Sequence, residues 1–96
     1  MPHKEPGAAI TLIDLDTVDV KHVAYFLAQH TESTRPQVVV DCGTLKCLRT
    51  LGVSHVVSQL LVLHQSGTRI WLRNVDPVLK RCLRLLRLEP LFRFAD

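Results

Sequence analysis

The sequence predicts an α/β domain with a small, mostly parallel sheet and helices packed on it, and three features carry that prediction. Short aliphatic, β-branched runs at 8–15, 37–41 and 68–73 read as strands. Between and after them lie segments whose apolar residues recur at helical spacing. No long spacer or internal repeat interrupts the alternation, so each helical segment serves as a right-handed crossover to a parallel strand.

The first strand, AAITLIDL, follows a lead-in, MPHKEPG, whose prolines, glycine and mixed charges predict a flexible segment over 1–7; the domain then spans 8–96. Asp16, Thr17 and Asp19 offer caps for a helix whose face is Val20, Val23, Ala24 and Leu27, with Phe26 on that face or at its edge, running to about Thr31. The polar stretch 32–36 ends in Pro36, and QVVVD follows as the clearest strand. Its three valines predict burial on both faces.

Residues 42–49 read as a loop with Leu45 and Leu48 turned inward, followed from Leu51 by a helix with the stripe Val53, Val56, Val57, Leu60, Leu61 and His64. Gly67 suits a left-handed helix end, and TRIWLR restarts as a strand with Trp71 read as core. Asn74 or Asp76 caps the last helix, Pro77 fits its first turn, and Val78, Leu79, Cys82, Leu83 and Leu86 are its expected apolar face. After the Glu89-Pro90 break, LFRF packs two aromatics as a short final segment.

Composition bounds the function. With 96 residues, 47% of them hydrophobic, the chain can bury one core without staples. A net charge of +3 with only three Phe, one Tyr and one Trp argues against nucleic acid and leaves room for an acidic partner. Three cysteines, an odd number, with no secretory signal ahead of them predict a reduced, cytoplasmic protein. The longest apolar helical segment is broken by Ser54, His55, Ser58 and Gln59, so membrane insertion is not expected.

The junction Leu48-Arg49-Thr50-Leu51-Gly52-Val53 is the best functional candidate. A helix start leaves backbone N–H groups without partners, so Thr50 is expected either as a plain N-cap or as a hydroxyl whose phosphate those groups would welcome. Arg49 beside it adds a cation, and Thr50, Ser54 and Ser58 are spaced to share one exposed edge with His55 nearby.

The stretches VVVDCGTLKCLRTLGVSHVV and GTRIWLRNVDPVLKRCLRLLRLEPLF resemble the STAS domain of sulfate transporters and anti-sigma factor antagonists, and LIDLD does so more weakly. That family shows a strand ending in Asp, a loop, an Asp-Ser-Ser/Thr-Gly type motif opening a helix, a Gly-rich turn into a strand, and a terminal helix before a Leu-Phe pair. The resemblance implies a non-catalytic regulatory protein that docks an ATP-binding anti-sigma factor or regulatory kinase through Arg49, Thr50, Leu51, Gly52, Ser54, His55 and Ser58, with Thr50 as candidate phosphoacceptor. A related branch binds the ATPase of a lipid-trafficking ABC transporter, and a phosphorylation-independent scaffold is the third reading. Arg49 stands where the family has Asp and Leu51 where it has Ser or Thr, so a partner tuned to the acidic motif meets reversed charge. A monomer or weak dimer is expected, with no cofactor.

Competing chemistry is weaker. Cys42 and Cys47 lack the second pair a metal site needs, so metal binding is not expected, and no orienting acid accompanies a Cys-His pair. No acid, base and nucleophile converge, which argues against an enzyme. Lys80, Arg81, Arg84 and Arg87 on the last helix read as a solvated face suited to a helix C-terminus.

Overall fold

Alternation of buried and partly exposed side chains along the two central strand segments, Gln37–Asp41 and Arg69–Arg73, sets the middle of this molecule. A computed structural model describes residues 10–29, 37–43 and 45–95; the expected lead-in 1–7, the helix end near Thr31 and the break at 32–36 lie outside them. In chain order the elements are β1 (Ile10–Ile13), α1 (Val20–Ala28), β2 (Gln37–Asp41), α2 (Lys46–Leu51), α3 (Val53–His64), β3 (Arg69–Arg73), α4 (Pro77–Leu85), a 3-10 turn (Glu89–Leu91) and β4 (Arg93–Phe94).

The four strands pair in the order β1-β2-β3-β4, and every pair is parallel. The last expected segment thus supplies a fourth strand, with Trp71 opposite Arg93 and Leu72 opposite Phe94. Each crossover steps one strand further in the same direction, and right-handed crossovers then place their helices on one face. Burial follows that geometry: Val38, Val40, Ile70 and Leu72 are all at most 1% exposed beneath the helices. Val39 and Trp71, on the other face, are only half-buried, and Leu12 is 67% exposed. The expectation that QVVVD is buried on both faces is therefore corrected, as is the placement of Trp71 in the core. The helices form a single layer.

Under that layer the core closes through Val56, Val57, Leu60 and Leu63 of α3, Leu79 and Leu83 of α4, and Val20, Ala24 and Leu27 of α1. Phe26 is exposed, because the inward direction of α1 is set by Ala24 and Leu27 and position 26 is turned about 100° away from Leu27. Asp19 caps α1 by accepting from Lys21 N–H, and Asp76 caps α4 by accepting from Val78 N–H at 2.9 Å, with Pro77 in the first turn as expected. α4 buries a narrower stripe than the sequence suggests: Cys82 is half-buried, and Val78 and Leu86 face outward. Gly67 adopts the left-handed conformation foreseen for it, φ 83°. Among the described residues no helix is long and apolar enough to cross a membrane.

Candidate functional site

The junction after β2 folds differently from a loop feeding one helix. Leu45 is buried and starts a short helix, α2, at Lys46, so the segment expected as loop to residue 49 is already helical. The N-terminus of α2 is held from a distant part of the chain. Asp16, in the turn after β1, accepts the N–H groups of Lys46 and Cys47, both at 2.8 Å. Those two backbone bonds hold the Asp16 carboxyl below its ordinary value.

Thr50 therefore is not an N-cap. It lies in the last turn of α2, and its hydroxyl donates to the carbonyl of Lys46 at 3.0 Å. The start of α2, four residues before Thr50, is taken by the Asp16 carboxylate, and at the start of α3 just after Thr50 the cap position falls on Gly52, with no side-chain cap. The sequence signal for this was ambiguous, since Asp16 and Asp19 both precede α1 and only Asp19 caps it.

Gly52 then breaks the chain between α2 and α3 with φ 91° and ψ 168°, a conformation natural only to glycine. An added Cβ there meets nothing within 4 Å, so backbone preference alone fixes this residue type. Ending α2 at this point leaves Leu51 60% exposed, next to exposed Arg49 and Thr50. On α3, Ser54 and Ser58 are exposed one turn apart, while His55 is half-buried. Thr50 and Ser54, expected on one continuous helix edge, belong to two helices on either side of the break.

Beside Leu51 opens a cleft of about 280 Å³ at the C-terminal ends of β2 and β3, lined by Cys42, Leu45, Leu48, Arg49, Val53 and Val78 among others. Clefts outside the carboxyl ends of parallel strands are where open α/β sheets place their binding sites. Sequence reading brought Arg49 here but missed Cys42, Gly43 and the start of α4; the usable signal was that two strands, ending at Asp41 and Arg73, deliver their loops to the same end of the sheet. The two loops lie close together: a Cβ on Gly43 would come within 3.0 Å of Asn74 Cβ. Asp41 ties them by accepting from Gly43 N–H at 2.9 Å and from Arg73 Nη2 at 3.3 Å, and Gly43 N–H, then Asn74, then Arg73 lower its carboxyl from the ordinary value.

The Cys47 thiol is held quiet. Burial, then the neighbouring Asp16, pushes Cys47 up to about 11, which leaves little thiolate at neutral pH. Among the described residues no group of three His, Cys, Asp or Glu side chains is placed to hold a metal ion. The arrangement brings together an exposed leucine at a glycine turn, hydroxyls and a guanidinium around it, and a cleft of mixed polarity alongside. No protein-family model matches this chain, and no curated protein or solved structure matches it either, so the STAS resemblance rests on the motif residues quoted above.

Proposed function

We propose that this protein is a non-catalytic interaction module that docks a protein partner through the α2–α3 break. The observation that carries the reading is Leu51, 60% exposed at a turn whose geometry only glycine supports, with its chain neighbours Arg49 and Val53 lining a cleft of mixed polarity. An apolar side chain held out by a fixed backbone pays little entropy on docking, and a rim of Arg49, Thr50 and Ser54 supplies polar contacts around it. The STAS resemblance makes the partner an ATP-binding anti-sigma factor or regulatory kinase, met at Arg49, Thr50, Leu51, Gly52, Ser54, His55 and Ser58.

The internal hydrogen bond of the Thr50 hydroxyl favours constitutive docking over a phosphate switch, because phosphorylation would forfeit that bond. The test is retention of partners from an extract of the protein's own cell by immobilised wild type, Leu51→Asp and Thr50→Val. An ATP-binding protein held by wild type and Thr50→Val but lost with Leu51→Asp supports the reading. Equal retention by all three overturns it.

A further inference from the structure

The face of the sheet turned away from the helices carries a pattern of its own. Leu12, Val39 and Trp71 form one row across β1, β2 and β3, and Arg93 of β4 continues it in register with Trp71. Arg69 and Arg73 lie two residues to either side of Trp71 along β3 and so project from the same face. The Trp71 indole is fixed in place: its N–H donates to Gln37 Oε1 at 2.8 Å, and the Arg93 guanidinium sits 5.8 Å from the ring centroid. At the β1 side the face is apolar and open, with Ile10 62% and Leu12 67% exposed.

Charge decides what fits there. Arg73 is paired with Asp41 at 3.3 Å, whereas Arg69 and Arg93 form no salt bridge among the described residues. Those two arginines also line a cleft of about 280 Å³ with His64, Thr68 and Pro90. A second copy of this face would set arginine against arginine, which repels. Residues 1–9 contain one carboxylate side chain, Glu5, against Lys4, and residues 30–36 one, Glu32, against Arg35, so neither stretch carries a net negative charge to set against the patch. Single-stranded nucleic acid is held by several stacking platforms, and this face has one indole, already carrying a guanidinium on its ring.

We propose that this open face is a second docking surface, for an extended acidic segment of a protein partner that lays apolar side chains on Leu12, Val39 and Trp71 and carboxylates against Arg69 and Arg93. It lies on the side of the sheet opposite the helices and is independent of the α2–α3 break. Carboxylates meeting guanidiniums form charge-assisted, often bidentate bonds, and Trp and Arg are, with Tyr, the side chains in which interface hot spots are enriched.

Trp71 is the single tryptophan of the chain, so its emission reports this face directly. The full chain is titrated with a dodecapeptide of alternating Leu and Glu, in parallel with its Leu and Lys counterpart and with oligothymidylate, while sedimentation monitors self-association. The expected result is a saturable change in Trp71 emission with the acidic peptide only. Affinity should fall about tenfold or more in Arg69→Glu/Arg93→Glu, as expected when two charged contacts are reversed, and should stay unchanged in Leu51→Asp. Circular dichroism identical to wild type shows that the double variant is folded, and Leu12→Ser should weaken the same binding without altering charge. No response to the acidic peptide, a response to the basic peptide or the oligonucleotide, or self-association through this face overturns the proposal.

Discussion

The carboxylate of Asp16 accepts the backbone N–H of Cys47 at 2.8 Å across 31 positions of sequence, and the same carboxylate takes the N–H of Lys46. This one side chain locks the turn after β1 to the start of α2, and through it positions the break at Gly52. Asp16→Ala leaves two helix-start donors to water and should lower the melting temperature. Because the folded carboxyl lies below its ordinary value of 3.8, its stabilisation is fully present above that value and is lost as pH falls through the folded one. The melting-temperature gap between wild type and Asp16→Ala should therefore be constant from neutral pH down to about pH 5 and close below it, as thermal melts across that range would show.

Gly52→Ala should destabilise by about 1–3 kcal/mol, the range for forcing a side chain into a glycine-only backbone region. Nothing crowds the new methyl, so Gly52→Ala and Gly52→Val should both pay mainly for the backbone, with urea midpoints displaced in the same direction.

Thr50→Val should cost little, about 0.5–1.5 kcal/mol for one exposed hydrogen bond, and removal of a true cap would have acted on the helix start instead. Amide exchange locates the effect: loosening confined to the last turn of α2 and the break agrees with the observed bond to Lys46, while loosening at the start of α3 would point to a cap.

Alkylation separates the three thiols. Cys42 is 1% and Cys47 8% exposed, and Cys47 is further disfavoured by burial and by Asp16, whereas Cys82 is half-buried on α4. With iodoacetamide at neutral pH, mass spectrometry should find Cys82 modified first and the other two only after denaturant is added.

What the sequence made legible was local. The β-branched run at Gln37–Asp41, the Asp76-Pro77 start of α4 and the left-handed Gly67 depend on neighbours in the chain and were read correctly. Misreadings arose where a distant residue or the layer count decided. The three valines look alike in sequence, yet strand order puts helices over Val38 and Val40 and none over Val39. Thr50 has the chemistry of a cap, but the chain is already helical from Lys46, where Asp16 accepts the first N–H groups, and the cap position of α3 falls on Gly52. Of the residues expected at the site, Arg49, Thr50, Leu51, Ser54 and Ser58 are exposed while Gly52 and His55 are half-buried, and the cleft wall from the start of α4 had no local signal.

The docking surface proposed at the α2–α3 break is tested most directly by placing a photoreactive amino acid at position 51 and irradiating living cells that make the protein, with position 81 on the exposed side of α4 as the control. The expected result is a discrete covalent adduct from position 51, absent from position 81, whose captured protein binds ATP. Adducts of equal abundance and identity from both positions would contradict the assignment of this surface.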